Sequence, residues 1–353
     1  MSEDRVKVGI AGALIGIAAV VLVLMGNPLN MGFCIACFWR DVAGGLGLHR
    51  AEVVQYLRPE VIGLLLGAFI ISLATGEFKP RGGSATITRF FMGIFMVIGA
   101  LVFLGCPLRA ILRLANGDLN ALVGLLGFVF GIFIGTRFLK KGYSLGKPSE
   151  QNVTAGAFLP AANILFLILL IVAPSFIFFS EKGPGSMHAP LIVSLIIGLV
   201  LGAIIQKTRF CTGGAIRDLI LIKNPTLFIG FAAVFIFALA GNLIFNFESF
   251  NLGFADQPIA HSEHLWNFLG LTLVGMCSVM LGGCPLRQTI LAGEGNMDSG
   301  AVVLGMIIGA AFSHNFGLAA SGEGVPVNGK IALIIAIIIT VIIGLTALNK
   351  KEA

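Results

Sequence analysis

Two short motifs recur in this chain at nearly one spacing. Phe33-Cys34-Ile35-Ala36-Cys37-Phe38-Trp39-Arg40-Asp41 returns after 177 residues as Phe210-Cys211-Thr212-Gly213-Gly214-Ala215-Ile216-Arg217-Asp218. Gly105-Cys106-Pro107-Leu108-Arg109 returns unchanged after 178 as Gly283-Cys284-Pro285-Leu286-Arg287. The register continues beyond them, with Gly117, Gly127 and Gly131 falling on Gly295, Gly305 and Gly309. Two motifs in one order at one offset mark a duplicated unit, and a repeat constrains the architecture before any local pattern does.

Composition says what the unit is made of. The 353 residues are 57% hydrophobic and 11% charged, against roughly 25% charged in a soluble domain. A water-soluble fold is excluded. The 29 Phe stand against two Tyr and two Trp, which is lipid-facing bulk without a stacking platform, so no nucleic-acid partner is expected. Six Cys are too sparse for a secreted disulfide scaffold.

Runs close to the ~20 apolar residues that cross a bilayer core recur at 8–25, 58–76, 89–105, 119–139, 157–179, 188–206, 226–246, 265–283, 300–319 and 329–348. The first is too long for a signal peptide, and Gly26-Asn27-Pro28 is a poor cleavage site. Half-apolar stretches at 31–48, 106–116, 208–222 and 284–293 are too short to cross. They read as re-entrant segments, which a bilayer tolerates only where protein or a cavity covers them. The expected fold class is an all-α polytopic membrane protein with about ten transmembrane helices plus short re-entrant helices.

Sixteen of the 23 Lys and Arg, Lys350 and Lys351 among them, fall on one side of this topology. The positive-inside bias then places both termini in the cytoplasm. Equivalent spans lie five crossings apart, so the two copies should be inverted. The expected division is a first repeat over 1–139, a connector and linking helix over 140–187, a second repeat over 188–320, and a C-terminal transmembrane helix over 321–353. Inverted repeats with broken helices place a site near the midplane where the copies meet. Cys34 and Cys106 would approach it from the outer face, Cys211 and Cys284 from the inner.

In the Gly-Cys-Pro motifs, Pro107 and Pro285 are preset for the first helical position. Cys106 and Cys284 then fall at N-caps and Arg109 and Arg287 one turn in. A helix N-terminus favours an anion, and the arginines add fixed positive charge. A thiol is a weak donor that gains little over Ser for a hard oxyanion. Four repeat-matched thiols therefore point to a small anion carrying soft sulfur or selenium.

Other residues carry weaker signals. Cys37 and Cys277 lack repeat mates, Gly214 and Gly99 standing in the equivalent places. Cys34-Ile-Ala-Cys37 has redox or zinc spacing, but no second such pair exists. Arg40-Asp41 and Arg217-Asp218 read as intramembrane ion pairs closing the re-entrant segments, with substrate contact as the alternative. His261 and His264 belong to a polar loop, and His314 is a satisfied histidine or a proton carrier. No phosphate loop, nucleophile triad or zinc quartet is present, so neither an enzyme nor a metal or cofactor site is expected.

The paired Phe-Cys…Arg-Asp and Gly-Cys-Pro-Leu-Arg elements resemble the YeeE/YedE family of sulfur-transport membrane proteins, over nearly the whole chain. Gly26 to Phe38, Arg81-Gly82-Gly83-Ser84 and Lys140-Lys141-Gly142-Tyr143-Ser144-Leu145-Gly146 are similar to its YedE branch, associated with selenium metabolism. The resemblance implies a bacterial inner-membrane protein of hourglass shape that takes up thiosulfate, cysteines along the constriction passing the anion through S–H contacts. On matching positions, Cys106, Cys284 and Cys211 become substrate contacts and Cys34 the outer gate. Cys37, Cys277 and the selenium-branch signatures depart from the thiosulfate members and leave the chalcogen open.

The expected function is uptake of a small sulfur- or selenium-containing anion, relayed by thiols without net chemistry. Weak contacts suit a pathway that must also release. The alternatives are a membrane thiol redox or sulfur/selenium-transfer protein and a docking scaffold. Either would work with a separate cytosolic carrier, because the Lys140–Asn152 connector is too short for a soluble domain.

Overall fold

The computed structural model describes residues 3–348, so Lys350 and Lys351 of the charge count lie outside the described residues. Its helices are α1 (Glu3–Leu24), α2 (Ile35–Gly45), α3 (Pro59–Ala74), α4 (Thr86–Phe103), α5 (Pro107–Leu114), α6 (Leu119–Lys140), α7 (Val153–Gly156) and α8 (Phe158–Val172). They continue as α9 (Leu191–Thr208), α10 (Thr212–Ile222), α11 (Thr226–Phe245), α12 (His264–Met280), α13 (Pro285–Gly293), α14 (Met297–Asn315) and α15 (Val327–Thr346).

All ten apolar runs are helical, and eight helical segments among the described residues are long and apolar enough to cross a membrane. The exceptions are α3 and α8, of 16 and 15 residues. The span expected over 157–179 stops at Val172 because Ala173 turns left-handed at φ 46°, and Pro174 has no N–H to continue the ladder. The four half-apolar stretches hold the short helices α2, α5, α10 and α13. Every residue of α2 is buried, as re-entrant backbone requires.

The copies are interleaved rather than set side by side. α1 packs on α11 while α9 packs on α3, and α4 packs on α14 while α12 packs on α6. Close approach relies on glycine: a methyl on Gly127 or Gly131 of α6 would strike the Phe268 or Thr272 carbonyl of α12. One on Gly305 or Gly309 of α14 would strike the Phe90 carbonyl or the Ile94 backbone of α4. Each of the latter contacts is the former shifted by 178 in both members. Reciprocal contacts of this kind are what a two-fold relation produces.

The pairs also fix direction. Gly12 meets Gly230 and Gly16 meets Val234, while Gly63 meets Leu195 and Gly67 meets Leu199. Residue numbers rise together in all four pairs, so the partners run parallel. Let the face where α1 begins be the near face. α11 and α14 also begin there, and α10 and α13, which precede them, lie on that side. α2 and α5 follow the ends of α1 and α4 and lie on the far side. The copies are inverted, and their short helices approach one another from opposite faces, α2 touching α13 and α5 touching α10.

Candidate functional site

The Gly-Cys-Pro motifs start helices as their sequence directs. Cys106 and Cys284 are the N-caps of α5 and α13, in extended conformation at ψ 169° and 171°, with Pro107 and Pro285 as first helical residues. The preceding glycine is a steric requirement, since the arginine stem folds back over it. A Cβ on Gly105 would lie 2.7 Å from Arg109 Cδ, and one on Gly283 3.0 Å from Arg287 Cγ.

The Phe-Cys elements use their thiols differently. Cys34 Sγ accepts the Cys37 amide at 3.4 Å and Cys211 Sγ accepts the Gly214 amide at 3.2 Å, so each caps its own helix, α2 or α10. Capping by sulfur was not legible in the sequence, where Ser, Thr, Asp and Asn are the usual signals. The capping thiols then meet the Gly-Cys-Pro thiols. Cys34 Sγ lies 3.9 Å from Cys106 Sγ on the far side, and Cys211 Sγ lies 3.5 Å from Cys284 Sγ on the near side. The Cys284 amide also donates to Cys211 Sγ at 3.5 Å. Each pair joins two helix N-termini, and all four thiols are buried.

The arginines differ between the sides. Arg109 is fully buried and donates to the Asn30 carbonyl at 2.7 Å, the Ile259 carbonyl at 3.1 Å and Cys37 Sγ at 3.3 Å. Cys37, unmatched in the repeat, thus joins Cys34 and Cys106 in one cluster. Cys277 stays apart, buried in α12. Arg287 sits 3.1 Å from the Glu294 carboxylate. Of the two arginines expected to add fixed positive charge, the second thus lies beside a carboxylate that its repeat mate does not have as a hydrogen-bond partner.

Arg40-Asp41 forms the expected ion pair at 2.7 Å, and Arg58 closes on the other Asp41 oxygen at 2.7 Å, all three side chains buried. Arg217-Asp218 pairs at 2.8 Å, part-exposed. Sequence reasoning missed Arg58, Glu294 and the buried Arg113–Asp118 pair at 2.6 Å. Asp118 had a signal: it follows Gly117 just before an apolar run and caps α6 through the Asn120 amide, as its repeat mate Asn296 caps α14 through Ser299. At the centre, Trp39 Nε1 of α2 donates to Thr289 Oγ1 of α13 at 3.0 Å, tying the two sides together.

His49 and His314 stack at 4.6 Å between ring centroids. His261 Nε2 donates to the Val102 carbonyl at 2.7 Å, and burial lowers its pKa. Among the described residues no three His, Cys, Asp or Glu side chains are grouped as metal ligands. Chemically, the arrangement offers two buried thiol pairs, one on each side, each at helix N-termini whose amides favour negative charge.

The family described as Sulphur transport matches residues 1–108 and 207–350. The chain is 25% identical over 259 residues to "Probable transporter YedE" of Salmonella typhimurium, covering 71% of this chain and 63% of that protein. It is 29% identical over 113 residues to the thiosulfate transporter TsuA of Escherichia coli, covering 32% of this chain and 31% of the relative. A Spirochaeta thermophila thiosulfate transporter TsuA is 29% identical over 101 residues, covering 29% of each chain. The matches thus span less than two thirds of these relatives. The family match covers both Phe-Cys elements, the second Gly-Cys-Pro-Leu-Arg and the first up to Leu108, and the chain belongs to the Sulphur transport family.

Proposed function

We propose that the protein takes up a small sulfur- or selenium-containing anion, such as thiosulfate or a selenium analogue, passing it from Cys34–Cys106 to Cys211–Cys284. The carrying observation is the pair of thiol clusters, each built on two helix N-termini and set on opposite sides of an inverted repeat. Soft, weakly donating thiols suit the sulfur end of such an anion, and weak contacts let it leave. The names of the thiosulfate transporters among the relatives support the substrate class. Residues 1–139 and 188–320 serve as the two repeats. Lys79, Arg81, Lys140, Lys141, Lys147 and Lys207 make the near face cytoplasmic in a bacterial inner membrane.

The test is uptake of radiolabelled thiosulfate and selenite into proteoliposomes, with sulfate as the hard competitor. Thiosulfate or selenite uptake that sulfate does not compete, lost in Cys106→Ser with Cys284→Ser, supports the reading. Uptake untouched by both changes sinks it. The sulfur–sulfur separations of 3.9 and 3.5 Å favour a second reading, thiol redox with a cytosolic carrier as partner. Turnover that stops without added reductant would select that one.

A further inference from the structure

The two thiol pairs share their motifs but not their surroundings. Where the outer side has Ile35, Cys37 and Asn116, the repeat-related inner positions hold Thr212, Gly214 and Glu294. Asn116 makes no hydrogen bond to Arg109; its amide donates to Asn30 Oδ1 at 2.9 Å and to the Ser249 carbonyl at 3.2 Å. Arg109 spends its donors on two carbonyls and a thiol. Glu294 instead faces Arg287 at 3.1 Å.

That inner pair is incompletely satisfied. Among the described residues Arg287 Nη1 is buried without a hydrogen-bond partner, Glu294 Oε1 has only its 3.1 Å contact with Arg287 Nη2, and Thr212 Oγ1 is again buried without a partner. The residues are 7%, 4% and 0% exposed. Thr212 opens α10 directly after Cys211, and Arg287 lies one turn inside α13 after Cys284. Leaving buried donors unpaired is costly. Both sit where an anion held at the inner thiols could present oxygen atoms.

We propose that Arg287 and Thr212 receive the oxygen atoms of the anion at the inner thiol pair, and that Glu294 is the residue that makes this site release. This rests on the transport reading above. An anion arriving at Arg287 meets a carboxylate already beside it, and two negative charges in a buried site repel. Among the described residues, Arg109 of the outer site has no carboxylate as a hydrogen-bond partner. The asymmetry does not set the direction of net flux, which follows the gradient. It sets which step is slow, keeping departure from the inner site fast.

The test uses the full chain in proteoliposomes with labelled thiosulfate, together with equilibrium thiosulfate binding to the purified protein. Glu294→Gln is expected to tighten binding about tenfold and to lower both KM and maximal rate, because release becomes limiting. Unchanged binding, or a raised KM showing that Glu294 merely positions Arg287, overturns the proposal. The mirror variant Asn116→Asp, which places a carboxylate at the repeat-related outer position, should raise KM about tenfold. If Glu294→Gln does not fold, an unchanged KM in Asn116→Asp overturns the proposal by itself. Absence of thiosulfate and selenite uptake by the unmodified protein would instead refute the transport reading. Binding to Glu294→Gln still decides the present one.

Discussion

Asp41 lies between two arginines, at 2.7 Å from each, with no exposed surface. Removing its charge strands Arg40 and Arg58 in a low-dielectric interior, and breaking a buried pair from one side costs about 3–5 kcal/mol. Asp41→Asn should therefore lower the thermal unfolding midpoint sharply in detergent. Asp218→Asn, whose pair is part-exposed and lacks a second arginine, should cost no more than about 1 kcal/mol. Equal losses in the two variants would contradict this account. The Arg-Asp pairs and the N-cap positions of Cys106 and Cys284 were legible in sequence because their geometry is local to one helix start. Arg58 and Cys37 were not, because each finds its partner through the fold. Arg58 reaches α2 from the residue before α3, and Cys37 reaches Arg109 on another helix. Glu294 was hidden for another reason: it differs from its repeat mate Asn116, and a search for identity passes over differences.

At the scale of elements, Gly127 and Gly131 of α6 were legible as repeat mates of Gly305 and Gly309 of α14, but the helices they pack against were not. Parallel packing of each helix on its counterpart's neighbour in the other copy depends on the three-dimensional two-fold. The contacts make a paired prediction. Gly131→Leu and Gly309→Leu each drive a side chain into a neighbouring backbone and should destabilise by about 1–3 kcal/mol, with similar midpoint shifts because the two contacts are repeat-related. A loss at one site only would count against the two-fold. The loop after α3 makes a second. Glu77 accepts from Gln206 at 2.6 Å and Lys207 at 3.2 Å at the end of α9. The Gln206 and Lys207 bonds hold its carboxyl below the usual 4.5. A depressed carboxylate pKa contributes stability above the unfolded value and loses it as pH falls through the folded one. Glu77→Gln should shallow the fall in melting temperature below about pH 4.5, measured between pH 7 and pH 3, and leave the slope near neutrality unchanged. An unaltered acid limb would show the contact to be idle, as surface pairs often are.

For the whole molecule, most of the architecture was legible: the inverted copies follow from the repeat offset together with the count of crossings, and the ten helical runs and the helices α2, α5, α10 and α13 follow from the lengths of the apolar stretches. The orientation in the membrane adds a prediction. Tags at the two ends of the chain should both be protected in sealed right-side-out cells; exposure of both would invert the assignment of inner and outer, and exposure of one alone would contradict ten crossings. Less legible was that each thiol meets a thiol from a different element of the same copy, while Trp39 and Thr289 join opposite copies. The central claim is that these pairs stand in series on one path. It is tested most directly by initial rates of labelled thiosulfate uptake in proteoliposomes carrying Cys34→Ser, Cys106→Ser, Cys211→Ser or Cys284→Ser, each normalised to folded protein. The account predicts that every one of the four falls well below the unmodified rate, whichever face it lies on, while Cys277→Ser does not. A pair on one face that tolerates serine at both positions with uptake intact would contradict it.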